Sequence, residues 1–229
     1  MDSSHPKIQI DQIIRSRRRS IGLEISGNAR LIVRAPLLVS TRQINRIVIE
    51  KKVWILRKQQ EARKRLAQIP QKKYIPGEKF LFLGNEYPLI LAQGQGIPFL
   101  YRESKFHITP ESLFEAHELF KVWYRKQAMD IFTERISLYQ RLSGIRCRQL
   151  NISNARKRWG SCSTRGNLNL NWRLIMAPLK VIDYVLVHEL VHIRENNHSR
   201  AFWDRVEQLI PNHREQRNWL KRQGHLLNL

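Results

Sequence analysis

Val181-Ile182-Asp183-Tyr184-Val185-Leu186-Val187-His188-Glu189-Leu190-Val191-His192-Ile193 is the stretch from which the fold of this chain is read. Val181, Ile182, Val185, Leu186, Val187, Leu190, Val191 and Ile193 make it apolar nearly all round, which predicts a buried helix. Polar groups in a buried helix must be paired or bound. His188 and His192 stand four apart, so on a helix both lie on one face and lean the same way, where each can give a nitrogen to one metal ion. Glu189 follows the first histidine and can reach a water on that metal without taking a coordination position, which is the placement of a general base.

A tetrahedral catalytic site takes three protein ligands and keeps one position open. His198 is the expected third, at the spacing from His192 found in the metzincin pattern H-E-x-x-H-x-x-G-x-x-H. Glu195 stands where that pattern has its turn glycine. Asn196 and Asn197 follow, and asparagine is the non-glycine residue that best tolerates the left-handed conformation ending a helix. Ser199 then predicts the start of another helix, apolar at Phe202, Trp203, Val206, Leu209 and Ile210 up to Pro211. Glu195, Glu207 and His213 are the rival ligands, and Glu207 as a non-ligand would hold a histidine's second nitrogen.

The frame around this motif is globular. With 229 residues, 42% of them hydrophobic, the chain can bury one good core or two small ones. Cys147 and Cys162 make no disulfide framework, and Met1 to Pro6 has neither a basic leader nor an apolar signal stretch. No segment approaches the roughly 20 apolar residues of a membrane span. A soluble, reduced, cytoplasmic protein is expected. Its 41 Lys and Arg against 19 Asp and Glu give a net charge of +22, a potential that attracts nucleic acid, nucleotides or acidic proteins, unless it is general surface basicity. Arg15, Arg17, Arg18 and Arg19, and a basic helix from Arg42 to Arg65, lie far in sequence from the metal motif.

Read along its length, the chain predicts an α+β fold. Ile21, Leu23, Ile25 and Leu31, Val33, Ala35 alternate across Ser26-Gly27-Asn28 as a hairpin. One long helix follows, opened by a capping box at Ser40 and Gln43 and closed before Pro70. Phe80 to Leu83 and Tyr87 to Leu91 flank a Gly84-Asn85 turn, with short strands at Pro98 to Tyr101 and Lys105 to Ile108. A second long helix opens at Thr109-Pro110, with a core face of Leu113, Phe120, Trp123, Tyr124, Ile131, Leu138 and Leu142, and ends at Gly144. Strands at Gln149 to Ala155 and Asn167 to Leu174 surround a turn at Arg158 to Cys162. The expected division is a strand-rich region with a long basic helix over 1–108 and a zincin-like, mainly helical catalytic domain with a small antiparallel sheet over 109–229.

Arg158-Trp159-Gly160-Ser161-Cys162, Asn171-Trp172-Arg173-Leu174-Ile175 with Ala177-Pro178, His188 to His192 and Asn197-His198-Ser199 together resemble the YgjP-like metallopeptidases, relatives of the SprT-like and WLM groups. Arg15 to Ile21, Val33-Arg34-Ala35-Pro36, Trp54-Ile55, Gly77 to Phe80 and Leu83-Gly84 extend the likeness over nearly the whole chain. The resemblance implies zinc, one per chain, held by His188, His192 and His198, with Glu189 catalytic.

Arg156, Lys157, Arg158 and Arg173 can place cations near the metal, and Arg158 and Arg173 are the expected substrate-binding residues, meeting a carboxylate, a phosphate or developing negative charge. Trp159 and Trp172 are expected as core anchors, Cys162 as a small buried hydrophobe rather than a fourth ligand, and Tyr184 beside the site or in the core. The leading expectation is a zinc peptidase acting on a peptide or protein. The alternatives are a zinc hydrolase of phosphoanhydrides such as nucleoside triphosphates, and a basic nucleic-acid-associated protein whose protease activity is localised or lost.

Overall fold

The computed structural model describes residues 8–69, 71–92, 97–155 and 157–229. Met1 to Pro6, where no leader was expected, and Arg156 lie outside them. The chain forms two compact units, Met1–Pro70 and Gln71–Leu229.

In the first unit, strands β1 (Gln12–Ser16), β2 (Gly22–Ile25) and β3 (Leu31–Pro36) make a three-stranded sheet with β3 in the middle. Leu31, Val33 and Ala35 point to one side of β3 and are fully buried, the period-two pattern of a half-covered strand. The β2–β3 hairpin turns at 26–29 as predicted, whereas β1, parallel to β3, was not anticipated. Only Ile14 of β1 is even half-buried, so its sequence carries no alternation to read. Ser40 caps α1 (Thr41–Glu50), its hydroxyl accepting from the Gln43 N–H at 3.2 Å. The expected single helix divides at Lys51 (φ −97°, ψ 14°), after which α2 runs over Lys52–Ala67. Ile44, Val48 and Ile55 from these helices close a small core over the sheet, with Trp54 packed at its edge.

The second unit opens with β4 (Lys79–Phe82), β5 (Asn85–Leu91), β6 (Phe99–Arg102) and β7 (Lys105–Ile108), ordered β4-β5-β7-β6. Their aromatic face, Phe80, Phe82, Phe99 and Phe106, packs on Phe120 and Tyr124 of α3 (Ala116–Ser143), with Phe80 stacked on Phe120 at 4.1 Å between centroids. These strands therefore share one core with the metal motif, and the compact unit begins at Gln71 where the sequence reading divided the chain after 108. Leu83 and Gly84, both at positive φ (49° and 83°), form the β4–β5 turn, one residue earlier than expected. Their N–H groups donate to the carbonyls of Ile175 and Met176 at 2.9 and 3.1 Å, which anchors the hairpin just ahead of the metal helix.

A 3-10 turn at Pro110–Glu115 precedes α3. The helix buries Ala116, Phe120, Tyr124, Ala128, Phe132 and Ile136, a stripe at i, i+4 spacing that excludes the predicted Leu142, and Gly144 ends it in the left-handed conformation. The last sheet, β8 (Gln149–Ser153), β9 (Gly160–Cys162) and β10 (Asn167–Asn171), is ordered β8-β10-β9. It is mixed rather than antiparallel, because β8 runs parallel to β10. Gly160 to Cys162, expected as part of a turn, is an edge strand; the turn lies at 163–166, with Gly166 at φ 76°. β10 stops at Asn171, whose side chain caps a 3-10 turn over Trp172–Met176.

Helices α4 (Leu179–Val191), α5 (Arg200–Leu209) and α6 (His213–Gln223) complete an α+β fold. The guanidinium of Arg135 on α3 donates two hydrogen bonds of 2.7 Å to the buried carboxylate of Asp183 on α4. No helix among the described residues is long and apolar enough to cross a membrane.

Candidate metal centre

The predicted buried helix is α4. From Val181 to Val191 every residue but His188 is buried, so the two neighbours of the motif face the core while the histidine edge opens toward solvent. α4 ends at Val191 and His192 is its C-cap residue. The chain then tightens, with Ile193 and Arg194 donating to the carbonyls three residues back. Neither Asn196 nor Asn197 has a positive φ, so the expected left-handed cap is replaced by this tightened turn. Asn197 and Ser199 form a local side-chain turn, and the Ser199 hydroxyl caps α5 by accepting from the Phe202 N–H at 3.3 Å.

His188, His192 and His198 converge, with one ligand nitrogen from each within 4.8 Å of the others, the one such group of three among the described residues. The Nε2 atoms of His188 and His198 are 3.1 Å apart. Metal–nitrogen bonds of about 2.0–2.1 Å place tetrahedral donors about 3.3 Å apart, so this spacing fits two ligands of one ion. His192 Nδ1 meets the Glu195 carbonyl at 2.9 Å. A carbonyl can only accept, so Nδ1 carries the proton and the Nε2 lone pair is left for a metal. Burial first, then the neighbouring His192 and His198 and Arg217, depresses His188 to about 3, keeping its ring neutral as a ligand must be.

The rivals do other things. Glu195 supplies the carbonyl that orients His192, and its carboxylate pairs with Arg205 at 3.2 Å. Glu207 is exposed on α5, and His213 is buried and stacked on Trp203 at 5.4 Å. Trp203 in turn stacks on His198 at 5.6 Å.

Glu189 lies in a cleft of 350 Å³ lined also by Arg158, Gly160, Tyr184, His188 and Arg217. Its side chain fits against β9 because residue 160 is glycine: a Cβ there would fall 2.5 Å from the Glu189 Cγ and 2.7 Å from Oε1. Burial lifts the Glu189 carboxyl to about 7, against an opposing pull from Arg158. Cys162 is half-buried, its thiol raised by burial and by the Glu189 charge, and it stands outside the histidine group. Tyr184 is both buried and part of the lining, with its ring 5.9 Å from that of His188.

Arg158 is thus brought to the cleft, and Arg173 is not among the residues lining it. The Arg173 guanidinium lies 4.3 Å over the buried Trp172 ring and donates to Asn154 Oδ1 at 2.6 Å, an oxygen that also accepts from the Trp172 indole N–H. Arg217 and Lys221 line the cleft without having been expected. They sit on a strongly polar helix well beyond the motif, where i, i+4 basic residues read as solvated surface.

The family described as YgjP-like, metallopeptidase domain, matches residues 19–223. No curated protein matches the chain. The crystal structure of the metallopeptidase zymogen of Pyrococcus abyssi abylysin is similar over 39% of this chain and 93% of its own length, at 21% identity and a TM-score of 0.37.

Proposed function

The chain belongs to the YgjP-like metallopeptidase family, and from that membership we propose that it is a zinc-dependent peptidase with one zinc per chain, held by His188, His192 and His198, and with Glu189 as its general base. The convergence of three imidazole nitrogens within 4.8 Å beside a buried carboxylate carries this reading. Zinc, when bound, supplies Lewis acidity that polarises a carbonyl and acidifies a water at neutral pH. Glu189 takes a proton from the attacking water through a carboxylate oxygen and returns it to the leaving amine. Arg158, whose charge opposes the effect of burial on Glu189, keeps that carboxyl able to do both near neutrality. α4, its C-cap and the loop that follows present the three ligands in turn, and Glu189, anchored against Gly160, is held beside them without becoming one. β9, an edge strand beside Glu189, offers backbone groups to an extended peptide.

A second reading, hydrolysis of a phosphoanhydride such as a nucleoside triphosphate, is favoured by one observation: Arg158, Arg217 and Lys221 all line the cleft. Zinc-loaded wild type and Glu189→Gln, prepared identically, separate the two when assayed on an unstructured protein and on nucleoside triphosphates. The expected result is proteolysis that falls about 10²–10⁴-fold in the variant while zinc content is unchanged. Nucleotide turnover dependent on Glu189, without proteolysis, would replace the peptidase reading with the second one.

A further inference from the structure

Arg217 and Lys221, one turn apart on α6, line two cavities at once. One is the Glu189 cleft; the other, of 830 Å³, is walled by α5 and α6. Arg214, Arg217 and Lys221 recur at helical spacing, so one stripe of α6 turns three cations to this second cavity. The α5 wall contributes Trp203 and the acidic Asp204 and Glu207. Trp203 fixes the junction. Its ring packs near-parallel to those of His198 and His213, and the Arg217 guanidinium stands 5.2 Å over it. Arg217 is therefore held on an aromatic floor that touches the proposed third ligand.

Its hydrogen-bonding edge is uncommitted. Among the described residues no carboxylate pairs with Arg214, Arg217 or Lys221, although Arg200 reaches Asp204 at 3.9 Å in the same cavity. The Arg217 charge nevertheless acts inward: Tyr184, raised by burial, is opposed by it. Val185 and Leu220 add apolar lining to the cleft that Arg158 and the α6 cations share, so an anion entering there exchanges part of its water for guanidinium N–H donors.

We propose that Arg217 and Lys221, together with Arg158, form a carboxylate-binding subsite at the mouth of the cleft, which makes the enzyme select peptides carrying an acidic group beside the bond to be cut. The proposal rests on the peptidase reading above. In a peptide the carboxylate has two sources, an Asp or Glu side chain and the C-terminus, and both present the planar pair of oxygens that a guanidinium fork matches.

The test is fluorescence-anisotropy binding to zinc-loaded Glu189→Gln, paired with cleavage by zinc-loaded wild type. The probes are fluorescent octapeptides in which one Glu, Gln or Lys is moved through the sequence, each made as the free acid and as the amide. At one position Glu is expected to bind about five- to tenfold more tightly than Gln, as a partly desolvated charge pair does. In Arg217→Ala/Lys221→Ala that ratio falls to near one, and in Arg217→Glu/Lys221→Glu the preference passes to Lys. Both side chains are exposed, so the fold survives these changes, which circular dichroism verifies. A free-acid over amide preference with no Glu effect assigns the subsite to the C-terminus. Equal binding of Glu and Gln peptides, and of acids and amides, overturns the subsite even if all are cleaved, as does the absence of any binding. An Arg217-dependent Glu preference with no cleavage by wild type leaves the subsite standing and removes the peptidase reading instead.

Discussion

Glu189 and Gly160 constrain one another. The glycine has no special backbone conformation; it is needed because a methyl group at 160 would overlap the carboxylate arm of Glu189. Gly160→Ala should therefore lower kcat by about 10²-fold, the effect of a displacement of order 1 Å at a reacting group, while zinc content and the circular dichroism spectrum stay as in wild type. An unchanged kcat would show that Glu189 moves freely at no catalytic loss. His198→Ala should bind less than one zinc per chain by elemental analysis, since it removes one of three donors; full retention would redirect the third ligand to Glu195 or Glu207. The convergence of His188 and His192 was legible because a four-residue spacing inside an apolar run has one geometric meaning on a helix. Gly160 and Arg217 were not. Their roles come from what packs opposite them, and nothing within a few residues of either encodes that neighbour.

At the scale of elements, the position of α4 depends on contacts made well away from the histidines. Asp183 is buried five residues before His188 and takes both hydrogen bonds of Arg135, whose side chain is 21% exposed. Asp183→Ala leaves that guanidinium largely buried without its partner, which should destabilise the unit by about 3 kcal/mol in urea unfolding. A loss below about 1 kcal/mol would mean that Arg135 escapes to water. The β4–β5 hairpin makes a second brace, through the N–H groups of Leu83 and Gly84 on the carbonyls just before α4. Helices were easier to read than strands for a physical reason. The apolar stripe of α3 and the all-round apolar surface of α4 extend over many residues, whereas β1 is barely buried and β9 is only three residues long. Even in α3 the stripe runs at i, i+4 and so leaves out Leu142, which an averaged helical face includes.

For the whole molecule, the net charge of +22 is distributed over cations in different circumstances. Arg15 is spent on the carbonyls of Pro36, Leu37 and Val39, and Arg18 folds over Gly22, while Arg17 and Arg19 are exposed. If the charge serves a polyanion, binding to mixed-sequence DNA should weaken steeply with salt, show little sequence preference, and fall in Arg17→Glu/Arg19→Glu with zinc content unchanged. A flat salt response would assign the charge to general surface basicity. The α+β class was readable from the order of patterns, but the boundary of the compact units was not. Strands 79–108 follow the first unit's pattern of short strands, and it is their aromatic face, seated on α3, and the hairpin's hydrogen bonds to Ile175 and Met176 that place them with the second.

The three histidines come from different stages of the same stretch of chain: the body of a helix, its C-cap, and the loop that follows. A partly folded chain with α4 formed but the loop still loose has only two of the donors in place. With zinc held as proposed, firm capture of the ion waits for the loop and for the ring of Trp203 behind it. A peptidase of this design would become competent only once that loop has closed, whatever the state of the rest of the chain.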